Sequence, residues 1–139
     1  MTWLYNNTEI NEVPEGFTHF VYLITDHNTG KIYVGYKSFF STTKKHFGKK
    51  KLKLVTDKRL KTYEHVTKES NWRDYYGSSE AIKESVKKHN KLNFERKILK
   101  LCNSHDHLYW EAYYQFKHEV LHVDSYNDNI LGKFYRGKV

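Results

Sequence analysis

The chain has 139 residues with 24 Lys+Arg against 16 Asp+Glu, a net charge of +8. That length accommodates one domain and excludes two large independent cores. Aromatics make up 17% of the residues, through twelve Tyr, eight Phe and three Trp, which excludes a disordered chain, and no apolar run approaches a membrane span.

In chain order, residues 1–16 read as a lead-in closed by Pro14, Glu15 and Gly16. Residues 17–25 are rich in β-branched and aromatic side chains and apolar on both faces, the pattern of a buried strand. Residues 26–30 form a hairpin loop ending in Gly30, and residues 31–36 are the return strand. A basic insert, residues 44–61, separates this hairpin from Tyr75, Tyr76 and Gly77. Ser78 or Ser79 can cap a helix that begins at Glu80, with Ile82 and Val86 on one face. Residues 94–101 read as a third strand. Ser104 can cap a second helix, with Leu108, Ala112 and Phe116 as its core stripe. A basic tail, residues 136–139, closes the chain. The order of hairpin, helix, strand and helix describes a small α/β sandwich.

The charge is concentrated. Residues 44–61 hold nine Lys/Arg and one acid, Asp57, so this segment carries the whole excess. A basic run is most simply a solvated surface. Here its density and its apolar Leu52, Leu54 and Val55 point instead to a phosphate-backbone contact, through Lys44, Lys45, Lys49, Lys50, Lys51, Lys53, Lys58, Arg59 and Lys61. Such contacts supply affinity without sequence readout and weaken with salt.

Two constellations carry candidate chemistry. Tyr22 and Tyr33 lie nearly symmetrically about the hairpin loop, as cross-strand neighbours offering two hydroxyls to one site. Gly35 follows on the face of Tyr33, where a strand glycine marks close approach of a ligand or backbone. The plainer alternative is two ordinary strand tyrosines and a bulge glycine. Glu111 flanks the apolar stripe of the second helix, with Gln115 one turn on. It is either a boundary carboxylate or a half-buried ligand for an oxygen-preferring cation such as Mg²⁺. The nine His lack HExxH or cysteine partners, so zinc is disfavoured, and Cys102 reads as a small buried hydrophobe.

Residues 20–24, Phe-Val-Tyr-Leu-Ile, and residues 32–35, Ile-Tyr-Val-Gly, resemble the two halves of the GIY-YIG nuclease signature. The eleven-residue step from Tyr22 to Tyr33 is also that of the family. Trp72, the run from Tyr75 to Ser79, residues 93–99, Glu111, Gln115 and residues 126–130 extend the resemblance across residues 17–135, to small stand-alone phage-type, homing-like endonucleases.

The resemblance implies a three-stranded antiparallel sheet flanked by helices. It implies a nuclease that hydrolyses DNA phosphodiesters with one Mg²⁺ or Mn²⁺ ion. By position, Tyr22 would be the general base or orient the attacking water, and Tyr33 would hold the water or the scissile phosphate. Gly35 would admit the backbone, Glu111 would hold the metal, and Asn127 (or Asn129) would match a polar residue near the domain's end. The family's catalytic Arg has no counterpart between Gly35 and Arg59. Lys37, Arg59 or Arg73 is left to fill that role, Lys only as a point charge. The expected partner is DNA and not a membrane, in the cytoplasm of a phage host. A homodimer or sequential nicking would serve double-strand cleavage. The alternatives are a catalytically inactive nucleic-acid-binding protein on the same scaffold and, less favoured, a protein-docking role.

Overall fold

The computed structural model describes residues 2–46, 48 and 63–139. Its strands are β1 (Trp3–Tyr5), β2 (Thr8–Ile10), β3 (His19–Asp26), β4 (Ile32–Ser38), β5 (Phe40–His46), β6 (Tyr63–Glu69), β7 (Phe94–Cys102), β8 (Asn129–Ile130) and β9 (Phe134–Tyr135). Its α-helices are α1 (Glu80–Lys88) and α2 (His107–Lys117).

The main sheet has five strands in the order β2-β1-β7-β3-β4. The expected three-stranded antiparallel sheet is its centre, β7-β3-β4, and the count is corrected by two strands from the supposed lead-in. β1 pairs parallel to β7, and β2 pairs antiparallel to β1, so the sheet is mixed. Each added strand is three residues long, too short to show a periodicity. Trp3 fixes them: it is buried, and its indole N–H donates to the Trp72 carbonyl at 2.7 Å.

β3 is apolar on both faces because both are covered. Phe20, Tyr22 and Ile24 point into one core with Trp3, Phe39, Trp72, Ile82 and Phe94. Val21 points into the other, with Val34, Cys102, Ala112, Val120 and Leu121. α1 thus lies over one face and α2 over the opposite one. Truncating Phe20 or Ile24 to Ala would cost about 3–4 kcal/mol through lost burial and a residual cavity.

Asp26, at the end of β3, ties three segments together. It accepts from the Tyr126 hydroxyl at 2.6 Å, the Ser85 hydroxyl at 2.8 Å and the Asn28 backbone N–H at 2.9 Å. Burial pushes its pKa up, but these donors outweigh burial and bring it to about 2.

The second helix departs from expectation. It begins at His107 after Asp106, not after Ser104, and the Asp106 carboxylate accepts from the Asn103 backbone N–H at 2.8 Å. Leu108 and Phe116 are each 51% exposed, so the expected 108/112/116 stripe is not the core face. The buried residues are Ala112 and Gln115. That rotation directs Glu111 toward the edge of β4.

Candidate active site

β4 is an edge strand, and its outward backbone groups are met by side chains and by the tail. Tyr126 N–H donates to the Ile32 carbonyl at 2.8 Å. The Asn127 side-chain oxygen accepts from Val34 N–H at 3.0 Å, and its amide nitrogen donates to the Val34 carbonyl at 2.8 Å. Gln115 Nε2 donates to that same carbonyl at 3.0 Å. The next outward group, Tyr36 N–H, lies close enough to the Glu111 carboxylate to favour its ionised form. α2 and the tail therefore supply the hydrogen bonds that a further strand would have made.

Beside this edge lies a pocket of about 340 Å³, lined by Tyr33, Gly35, Tyr36, Lys37, Ser38, Tyr75, Ser78 and Glu111. Tyr33, Gly35 and Lys37 share one face of β4 by the twofold strand period. The Tyr33 hydroxyl and Ser78 Oγ are 2.7 Å apart. Lys37 Nζ lies over the Tyr75 ring, 4.4 Å from its centroid, and partial burial lowers its pKa. Lys37 is the only Lys or Arg lining this pocket among the described residues.

Tyr22 is not directly across from Tyr33. Its register partner is Gly35, and Tyr33 pairs with Ile24. The two rings meet diagonally on one face with centroids 6.0 Å apart. Tyr22 is fully buried, behind the pocket wall. A Cβ on Gly35 would stand 2.7 Å from the Tyr22 hydroxyl and 3.1 Å from Tyr33 Cε1. Gly35 is thus required because two tyrosine rings occupy the space a side chain needs.

The Tyr22 hydroxyl is buried and makes no hydrogen bond among the described residues. Tyr75 is close enough to act on it electrostatically without meeting hydrogen-bond geometry. Burial, then the neighbouring Tyr33 and Tyr75, raise the Tyr22 pKa well above the ordinary tyrosine value. Burial raises that of Tyr33 as well, against the opposing pull of Ser78. Both phenols are protonated at neutral pH. Burial pushes the Glu111 carboxyl up to about 7, although the Tyr36 N–H favours its ionised form.

These residues fit a hard divalent cation. Glu111 is a carboxylate whose charge is poorly compensated by protein, with Tyr33 and Ser78 hydroxyls lining the same pocket and an orphaned Tyr22 hydroxyl behind it. No group of three or more His, Cys, Asp or Glu that could enclose a metal exists among the described residues. A single carboxylate with open space suits Mg²⁺, which keeps water and substrate oxygens as its other ligands.

Of the expected site residues, Tyr33, Gly35, Lys37 and Glu111 come together around the pocket, and Tyr22 backs it. Asn127 does not line it; its side chain is used by the Val34 backbone. Arg73 faces away: it is 2.9 Å from Glu69, donates to the Asn11 carbonyl at 2.9 Å and stacks on Trp72. Lys44 and Lys45 lie on exposed β5. Lys49, Lys50, Lys51, Lys53, Lys58, Arg59 and Lys61 lie outside the described residues.

Sequence reasoning missed Tyr75 and Ser78, although both fall in the quoted Tyr75–Ser79 run. It also missed Arg96, which is buried and donates at 2.9 Å to the carbonyls of both Arg73 and Tyr75. Arg96 is packed against the Trp3 and Tyr76 rings, and so holds the segment that presents Tyr75.

A family model described as "Putative endonuclease segE, GIY-YIG domain" matches residues 3–139. No curated protein and no solved structure gives a significant match to the chain. The match reaches from β1 to the last residue, so it takes in the two strands that the resemblance over residues 17–135 left out.

Proposed function

The chain belongs to the GIY-YIG endonuclease family, and from that premise we propose that the β4-edge pocket hydrolyses DNA phosphodiesters with the help of one divalent cation. The observation that carries this reading is the convergence of Glu111, Tyr33 and Lys37 on one pocket backed by Gly35 and Tyr22.

Glu111 would hold the cation, Mg²⁺ or Mn²⁺, which when bound neutralises negative charge on the phosphate. Lys37 adds a second positive charge at the same pocket and takes the place of the family's Arg. It does so without a bidentate fork, so orientation of the phosphate falls more heavily on the Tyr33 and Ser78 hydroxyls. Gly35 lets the Tyr22 and Tyr33 rings pack against β4 at the floor of the pocket.

Tyr33 meets the attacking water. Because its phenol is protonated, it acts as a relay: Oη takes a proton from the water while passing its own to Ser78 Oγ, and the exposed Ser78 hydroxyl releases its proton to solvent in concert. The water oxygen bonds to phosphorus, one P–O ester bond breaks, and the leaving oxygen takes its proton from solvent. Tyr22 packs behind Gly35 with its hydroxyl unpaired among the described residues, and so backs the polar floor of the site. A raised pKa makes it a positioning donor more than a base.

The test is incubation of supercoiled plasmid with the protein and Mg²⁺. Nicked or linear product is expected from the wild type, with Glu111→Gln at least about 10³-fold slower. No cleavage above the Glu111→Gln control under Mg²⁺ or Mn²⁺ would remove the nuclease reading. That no Arg lines the pocket among the described residues favours one second reading, a DNA-binding protein without turnover. It predicts salt-sensitive binding, no product, and unchanged binding in Tyr22→Phe.

A further inference from the structure

Among the described residues, β5 and β6 pair only with each other, in a two-stranded sheet separate from the main one. Beyond Ser41, every residue of β5 is exposed, as is every residue of β6 after Tyr63. A two-stranded ribbon without an apolar face is marginal in water, so burial does not account for it. Its two ends do. β5 leaves the main sheet directly after Lys37 and Ser38, and β6 returns through Ser70 and Trp72 to Tyr75. The ribbon is therefore the continuation of two walls of the pocket.

Its base is fixed. Phe39 and Trp72 are buried edge to face, with centroids 5.0 Å apart. Ser70 N–H donates to the Phe39 carbonyl at 2.8 Å, and the Ser70 hydroxyl donates to the Ser38 carbonyl at 2.6 Å. Glu69 accepts from the Trp72 indole at 3.2 Å and pairs with Arg73.

Above the base the two faces differ. Register places Lys44 opposite His65 and His46 opposite Tyr63 on one face, with Thr42 opposite Thr67 below them. The other face pairs Ser41 with Lys68, Thr43 with Val66 and Lys45 with Glu64. Among the described residues, the first face has hydrogen-bonding and aromatic groups and no acid above Glu69. The second carries a carboxylate.

We propose that this ribbon lies in the major groove of duplex DNA with the Lys44/His46/Tyr63/His65 face toward the base edges, and that it sets a fixed offset between the bases read and the phosphate cut. The proposal rests on the nuclease reading for the phosphate and adds to it the element that reads sequence. A two-stranded ribbon fits the major groove, roughly 12 Å wide, without deforming the duplex, whereas the minor groove, about half as wide, admits one only when the DNA is bent or widened. Seven residues per strand at about 3.3 Å each span roughly 23 Å. At about 3.4 Å per base pair, the contacts fall within roughly seven base pairs of the scissile phosphate, on one side of it.

The experiment is methylation interference with dimethyl sulfate. It uses full-length Glu111→Gln protein bound to a plasmid fragment centred on a cut site mapped with the wild type. Methylation at dG N7, in the major groove, is expected to block binding within about seven base pairs on one side of the cut. The same protein carrying His46→Ala and His65→Ala is expected to bind about tenfold more weakly, to lose that interference and to keep its melting temperature. Interference from dA N3 alone, or an unchanged pattern and affinity in the folded ribbon variant, would overturn the proposal. If the wild type cuts nothing, any fragment of the plasmid serves. Ribbon-dependent dG N7 interference would then support groove reading while the nuclease reading fails.

Discussion

The pocket and the ribbon are joined by a few residues and built on opposite principles. The pocket's tyrosines are held by packing: Tyr22 is fully buried, Gly35 is shaped to it, and Arg96 fixes the segment that presents Tyr75. Among the described residues, the ribbon's strands pair only with each other, and most of their side chains are exposed. Chemistry needs groups fixed to a fraction of an ångström, and a low-dielectric shell strengthens their charges. Recognition of a flexible polyanion needs reach and exposed donors. The difference predicts that substitutions around the pocket trade stability against turnover, whereas substitutions on the ribbon change affinity and leave folding alone.

After Glu111→Gln, the largest effect belongs to the relay. Tyr33→Phe should slow plasmid cleavage by about 10²–10³-fold with little change in DNA affinity, measured by single-turnover rates beside binding isotherms. Loss of affinity in proportion to loss of rate would make Tyr33 part of the binding surface and blur the contrast.

Next comes the contact between Gly35 and Tyr22. Gly35→Ala forces its Cβ against the Tyr22 hydroxyl and should destabilise by about 1–3 kcal/mol. Tyr22→Phe alone removes a buried hydroxyl that has no partner among the described residues, so stability should hold or rise by up to about 1 kcal/mol. Combined, the two should recover part of the Gly35→Ala loss, read from a double-mutant cycle in urea. Strict additivity would mean that the two groups do not oppose each other.

Asn127→Ala should cost about 2–3 kcal/mol, because both Val34 backbone groups lose a buried partner. Its turnover at a temperature where the variant is folded should fall less than that of Tyr33→Phe. A larger fall would return Asn127 to the chemistry.

The smallest effect is electrostatic. The Glu111 pKa is raised to about 7 in the folded chain from an ordinary value of 4.5. The folded protein therefore binds this proton more tightly than the unfolded one. The ionised carboxylate lowers stability by an amount that grows as pH rises from about 4.5 to 7 and is then constant. Glu111→Gln should accordingly raise the melting temperature at pH 8 by a few degrees and leave it unchanged at pH 4. Equal shifts at both pH values would show that the gain is not ionic.

Much of this architecture was readable before the fold. The β3–β4 hairpin is written in residues that are apolar on both faces and in the Asp26–Gly30 turn, where Gly30 adopts a positive φ of 79°. The Tyr22, Tyr33 and Gly35 spacing was legible too, but the register was not, since one position decides whether Tyr22 faces Tyr33 or Gly35. β1 and β2 were invisible because three residues carry no period. The α2 stripe misled because four-residue spacing at Leu108, Ala112 and Phe116 is satisfied equally by an exposed aromatic face. Asn127 could be seen as a polar residue in the right place, but nothing local reveals that it closes the edge of a distant strand.

The central claim is that Glu111, ionised, holds the catalytic cation. Its most direct test is the cleavage rate as a function of pH at low and at saturating Mg²⁺, because the cation and the proton compete for one carboxylate. The account predicts a rate that rises with pH through about 7 at low Mg²⁺, with a midpoint that moves to lower pH as Mg²⁺ increases. A midpoint indifferent to Mg²⁺ would contradict it.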